Sequence, residues 1–241
     1  MPVAVVTGGG GGIGGACART LAREGFAVVL LGRTEASLQV VQEQIRATSG
    51  EASSFVADVR SWERIQELAG QLQERYGGVD ILVNSAGGQF HAAATEISPN
   101  GWSAVVETNL TGTFYTCKAL HDLLAETRGS IVNVVANVWQ RGAPQMAHSG
   151  AARAGVISLT RTLALEWAPE RIRVNALSPG LTDTAGLRNE AVNLDAKAAR
   201  VPLKRCATPE EVAETAWFLA GPTGSYITGA VLVVDGGLQL A

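Results

Sequence analysis

Short runs of consecutive apolar residues alternate along this chain with longer stretches in which apolar positions recur every three or four residues. The runs Val3 to Thr7, Ala27 to Leu31, Ala52 to Ala57, Asp80 to Asn84, Ser130 to Val135, Arg173 to Leu177 and Val231 to Val234 are rich in Val and Ile. A strand wetted on one face alternates apolar with polar residues, whereas a strand covered on both faces has no need to. The seven runs are therefore predicted strands of a parallel sheet. With helices on both faces, they predict an α/β fold, doubly wound, in a single domain. Three helix starts are marked: Ser61, Ser98-Pro99 and Thr208-Pro209, the last with Glu211 completing a capping box. One segment, Asp183 to Leu203, is polar at first and then Ala-rich. It lies beyond a strand's carboxyl end, where open α/β sheets bind ligands, so residues 183–204 are read as a mobile substrate lid.

Composition narrows the class. The chain has 241 residues, 46% of them hydrophobic and 17% charged, enough to bury a core without cross-links. A net charge of −3 without a basic patch gives no support to nucleic-acid binding. No apolar run reaches the length of a membrane span, and Val3-Ala4-Val5-Val6 runs straight into a glycine turn with no signal peptide before it. The expected location is the cytoplasm. Cys17, Cys117 and Cys206 are odd in number, widely spaced and without a CxxC, so neither a disulfide framework nor a metal site is expected.

The chemistry begins where the first strand ends, in Thr7-Gly8-Gly9-Gly10-Gly11-Gly12-Ile13-Gly14. Glycines between a strand and a helix let the backbone approach a pyrophosphate, and the helix N-terminus offers free N–H groups and a positive dipole end. Gly8, Gly12, Ile13 and Gly14 are the candidate contacts. At the end of the second strand, where an NAD site carries an acidic residue, stand Gly32 and then Arg33. A guanidinium without a carboxylate favours a 2′-phosphate, and so NADP(H). Asp58 and Val59 are placed to flank the adenine, and Asn84, Ala86 and Gly87 to pass beside a ribose. Pro179, Gly180, Leu181, Thr182 and Thr184 are placed to hold a nicotinamide carboxamide.

Taken together, TGGGGGIG at 7–14, ADV at 57–59, NSAG at 84–87, TNLTGTF at 108–114, ALEW at 164–167, RVNALSPG at 173–180 and ITGAVLVVDGG at 227–237 resemble the short-chain dehydrogenase/reductase family over the whole length. The resemblance implies a Rossmann-like fold with a seven-stranded sheet and a homotetramer or homodimer. The stretches GGQF at 87–90, HSGAARAGV at 148–156 and LALEWA at 163–168 are similar to the peroxisomal trans-2-enoyl-CoA reductases within that family. Those enzymes use NADPH to saturate the C=C bond of an enoyl thioester.

Most of the family carries an Asn-Ser-Tyr-Lys tetrad. Here Asn109 matches the Asn, but the other three positions hold Ala136, Ser149 and Arg153. The further Tyr of the enoyl reductases falls on Ile157. Ser149 is no acid at working pH, and Arg153 can hold ribose hydroxyls but not pass on a proton. Simple carbonyl reduction is therefore disfavoured, because it needs a proton at oxygen. Reduction of an activated C=C bond needs only donors for an enolate oxygen. Asn109, Ser149 and Arg153 are the candidate catalytic residues. His148, Tyr115 and Tyr226 are other candidate proton sources, and Trp139 and Gln140 candidate pocket walls. Three readings stay open: a reductase of an enoyl thioester, a reductase of an imine or unusual ketone, and a catalytically silent NADP(H)-binding sensor or scaffold.

Overall fold

All seven predicted runs form strands of one parallel sheet in the computed structural model, which describes residues 1–140, 142–189 and 194–240. The strands are β1 (Val3–Thr7), β2 (Ala27–Gly32), β3 (Ala52–Val56), β4 (Ile81–Asn84), β5 (Ser130–Val134), β6 (Arg173–Pro179) and β7 (Val231–Val234). They lie in the order β3-β2-β1-β4-β5-β6-β7. The chain works outward from β1 to β3, then returns to lay β4 on the other side of β1. That reversal makes the ends of β1 and β4 the switch point, where such sheets open a ligand crevice.

The central strands read as near-continuous apolar runs because both faces are covered, whereas the edge strands β3 and β7 are partly exposed. In β1, Val3 and Val5 face one core, with Ile65, Leu68 and Leu72 of α3 (Trp62–Tyr76) and Leu163 of α7 (Ala147–Glu166). Ala4 and Val6 face the other. There they meet Cys17 and Leu21 of α1 (Gly12–Arg23), Leu38 and Val41 of α2 (Glu35–Ala47), and Val212 and Leu219 of α10 (Pro209–Ala220). The remaining helices are α4 (Pro99–Val106), α5 (Gly112–Ala119), α6 (His121–Thr127), α8 (Ala185–Asn189) and α9 (Leu194–Ala198). The expected lid is thus partly helical; positions 190–193 within it lie outside the described residues.

The marked helix starts are capped as their chemistry requires. Ser61 accepts from the Arg64 amide, Ser98 from the Gly101 amide at 3.1 Å, and Thr208 from the Glu211 amide at 3.2 Å. The Glu211 carboxylate accepts in return from the Thr208 amide at 2.8 Å. The other end of α10 is closed by a residue from the sheet. Arg173 donates to the carbonyls of Leu219 (2.6 Å), Ala220 (2.5 Å) and Gly224 (2.9 Å). One half-buried guanidinium satisfies carbonyls that the last helical turn and the following turn leave open.

Candidate active site

At the switch point, Thr7 ties two strand ends together: its hydroxyl accepts from the amides of Ser85 (3.1 Å) and Ala86 (2.9 Å). Gly8 lies in this angle with φ +66°, and a Cβ there would stand 2.9 Å from the Ala86 nitrogen. A Cβ on Gly14 would stand 2.3 Å from the Gly8 carbonyl oxygen, so only glycine lets α1 begin so close beneath the turn. No side chain caps α1, which leaves its first amides open to a ligand. Thr184, expected at the nicotinamide end, brings its methyl to 3.5 Å from the Cβ position of Gly12. Gly180 packs its Cα against Asp235, where a Cβ would meet that residue's Cα at 2.6 Å. Ile13 packs partly buried against the core on the α1 side. A bare cradle of glycine backbone at an uncapped helix start is a fit for a dinucleotide's phosphates.

Beyond β2, Arg33 is exposed and makes no hydrogen bond or ion pair among the described residues. The neighbouring Thr34 starts α2 without spending its side chain on a cap. The Ser37 hydroxyl donates to the Thr34 carbonyl at 2.8 Å and lies 2.5 Å from where a Cβ on Gly10 would stand. A free guanidinium, two hydroxyls and a helix N-terminus therefore gather beside the glycine turn.

Three of the expected cofactor-side residues have their side chains engaged within the protein. The Asp58 carboxylate, placed to flank the adenine, accepts from Arg60, whose Nη2 donates at 2.7 Å and whose Nε donates at 3.0 Å. That pairing, helped by Arg33, holds the Asp58 pKa below the usual carboxylate range against the effect of partial burial. Val59 is buried in the core, beneath a Gly112 whose missing Cβ would stand 2.5 Å from its methyl. The Asn84 side chain turns inward: its Nδ2 donates to Asn133 at 2.9 Å, and its Oδ1 accepts from Thr116 at 2.7 Å. What these two segments can offer a cofactor is thus main chain more than side chain. The amide of Ala86 is likewise committed, to Thr7.

The catalytic end is built on a helical irregularity. Between α4 and α5 the residues Glu107–Thr111 form a π turn, which carries the fully buried Asn109. Such turns free carbonyls that side chains then take up. The Asn109 amide donates to Val105 O at 2.7 Å and reaches across to Gly88 O at 2.8 Å, while Gly88 N donates back to its Oδ1 at 3.3 Å. Gly87 sits between two of the expected residues: a Cβ there would meet Arg153 Nη2 at 2.6 Å and Asn109 Oδ1 at 2.7 Å. Arg153 donates through Nη1 to Val134 O at 2.9 Å, and its buried Nε has no partner. Burial lowers its pKa to about 10, so it stays charged at neutral pH.

Ser149 is fully buried and donates its hydroxyl to Gln89 Oε1 at 3.0 Å. Ala136 lies two residues past β5, half-buried, and its side chain offers no donor. Trp139 is locked by its indole N–H on Ser178 Oγ at 3.1 Å, whereas Gln140 is exposed. The other proposed acids fare poorly. His148 accepts the Ser149 amide on Nδ1 at 2.8 Å, and its buried Nε2 has no partner. Tyr115 packs on Trp62, 5.4 Å between ring centres, and Tyr226 stands in solvent. Gln89 was missed in the sequence: only its place two residues past NSAG pointed to it. Among the described residues no cluster of His, Cys, Asp and Glu could hold a metal, and no helix is long and apolar enough to cross a membrane.

Comparison with known proteins places the chain in a family. A family model described as enoyl-(acyl carrier protein) reductase matches residues 8–239. The chain is 38% identical to a probable 2,4-dienoyl-CoA reductase of Bacillus subtilis, over 98% of this chain and 96% of that one. It is 37% identical to a peroxisomal 2,4-dienoyl-CoA reductase of Pongo abelii, over 99% of this chain and 84% of that one. Among solved structures, an actinorhodin polyketide ketoreductase variant with NADPH superposes with a TM-score of 0.94 at 37% identity, covering 100% of this chain and 98% of that one. The chain belongs to the short-chain dehydrogenase/reductase family and is an oxidoreductase of that family, which uses nicotinamide cofactors.

Proposed function

We propose that this oxidoreductase uses NADP(H) to reduce a C=C bond activated by a thioester carbonyl. The observation that carries the reading is the set of groups around Gly87. Asn109 fixes the Gly88 loop, both its amide hydrogens going to Gly88 O and Val105 O, Arg153 and the Ser149–Gln89 pair supply positive charge and donors, and none of them is a proton donor of neutral-range pKa. When bound, the reduced nicotinamide supplies a hydride. The side chains then have to stabilise the negative charge that develops on the acyl oxygen. Because the Ser149 hydroxyl occupies Gln89 Oε1, the amide N–H groups of Gln89 are left to meet that oxygen. Arg153 supports the ribose and adds a fixed positive charge. The enolate is protonated at carbon, which water can do, whereas a ketone would need an acid at oxygen. Arg33, Thr34 and the start of α2 support the 2′-phosphate, and Thr184 beside Gly12 supports residues 183–204 as a lid over the nicotinamide end.

The likeness to a polyketide ketoreductase supports carbonyl reduction as a second reading. Oxidation of NADPH, followed with enoyl, 2,4-dienoyl and acetoacetyl thioesters, separates the two. The expected result is turnover of the unsaturated thioesters with kcat/KM about 100-fold above the acetoacetyl value, the size of an acid's contribution. Turnover of the ketone alone sinks the proposal, and tight NADPH binding without any turnover returns the chain to a sensor or scaffold role.

The proposed assembly is a homotetramer or homodimer. Supporting it, Leu165 on α7 is 79% exposed, and the edge strand β7 shows four half-exposed aliphatic residues. Light scattering on the purified protein should give two or four chains; a monomer at micromolar concentration would rule assembly out. The cytoplasm is the proposed location, supported by three unpaired thiols.

A further inference from the structure

We infer that Phe90 is a specificity-determining residue, a fixed aromatic wall beside the Gln89 amide that selects acyl groups whose unsaturation is conjugated and flat. The inference rests on the thioester reading above.

The loop that carries Phe90 is held at three points by the catalytic elements. Gly88 exchanges hydrogen bonds with Asn109, and Gln89 is held by Ser149. Ala92 donates its amide to Gln145 O at 3.2 Å, and Gln145 takes a left-handed φ of +66° in doing so. Side chains between such fixed points have little freedom to swing. Phe90 has less still, because rings and backbone grip it from two helices. Its ring stands at 88° to that of His148 with centres 4.3 Å apart. Its Cζ comes within 3.0 Å of where Gly101 of α4 would carry a Cβ. His148 is a rigid jaw: it is fully buried, and the Ser149 amide on Nδ1 holds the imidazole in one orientation.

Single exposed hydrophobic residues are common and need no explanation. Phe90 is different in being 40% exposed while immobilised on a loop whose neighbouring residue reaches the catalytic serine. An acyl chain whose carbonyl oxygen meets the Gln89 amide passes the next residue with its α-, β- and γ-carbons. A flat conjugated chain can lie against an aromatic ring along its length, whereas a flexible saturated chain gives up rotational freedom to do so.

Titration calorimetry tests this without turnover, using cinnamoyl-CoA and hexanoyl-CoA as probes on the protein saturated with NADP⁺. The wild type is expected to bind the flat probe about tenfold more tightly, the scale of a single apolar pocket contact. Phe90→Leu, which keeps bulk but loses the flat face, should bring the two affinities together. His148→Phe should keep the preference, because it preserves the ring contact. Should Phe90→Leu fail to fold, Gly101→Ala serves instead, since its methyl displaces the Phe90 ring and should narrow the ratio. Equal affinities in the wild type, no binding of either probe, or a ratio unchanged in these variants overturns the inference. A preserved preference with no NADPH oxidation on any thioester would overturn only the reductase reading.

Discussion

Arg153→Met is expected to lower kcat/KM by about 10³-fold, and Arg153→Lys by about tenfold, the range seen when a fixed charge or donor is removed from a site where charge develops. The guanidinium is tethered at one end by Val134 O and has no carboxylate partner among the described residues. Its charge is therefore not spent inside the protein. Burial lowers its pKa only to about 10, so it is fully charged at neutral pH. The contribution should hold across the neutral range and fade as pH rises towards about 10. Methionine matches the length and apolar body but carries no charge. Because an unpaired buried charge costs stability, the Met variant should melt at the same temperature as the wild type or higher. Lysine keeps the charge as a point on a shorter fork-free chain and loses the bond geometry. Steady-state kinetics beside thermal denaturation separates the effects. A Met variant within threefold of the wild type would show that Arg153 is only a structural strut.

The architecture was legible because its signals are local. Seven apolar runs and three capping residues each declare themselves within a few positions, and the structure places every one. The glycine turn was legible for the same reason: a strand, a run of glycines and a helix are contiguous. What sequence could not show is side-chain direction at the strand ends. Asn84 looked like a cofactor contact by position, but as the last residue of β4 it points where Asn133 and Thr116 lie, 49 and 32 residues away. Gln89 became visible only once Ser149, 60 residues later, was beside it. Asp58 shows the opposite case, a contact that is local. Its partner Arg60 is two residues away, so the charge pair is readable from the sequence. His148 shows a third limit. A histidine next to a candidate site residue reads as an acid until the structure shows its Nδ1 taken by the Ser149 amide. The π turn at Glu107–Thr111 has no local signature either, since it depends on Asn109 finding Gly88.

Arg33→Asp is expected to weaken NADPH binding by about 10³-fold while leaving NADH within a few-fold, which reverses the cofactor preference. Two charge-assisted hydrogen bonds to a phosphate, at about 1.5–3 kcal/mol each, set the scale. Arg33 is able to make them because nothing else claims it. Asp58, whose carboxylate feels the charge of Arg33, is already held through both oxygens by Arg60. The surroundings add to the preference: Gly32 brings no carboxylate, and the start of α2 presents unspent amides and the Thr34 hydroxyl. An aspartate one residue past the strand would repel a 2′-phosphate and accept instead from a 2′-hydroxyl. Since Arg33 is exposed, the wild-type affinity for NADPH should also fall as salt is raised, and the salt effect should be smaller for NADH. Fluorescence titrations of the two cofactors at low and high salt measure all of this. Equal losses for NADPH and NADH in the variant would place the 2′-phosphate elsewhere, with Arg60 the next cation to test. Retained NADPH selectivity would leave the amides of α2 and the hydroxyls of Thr34 and Ser37 to account for it.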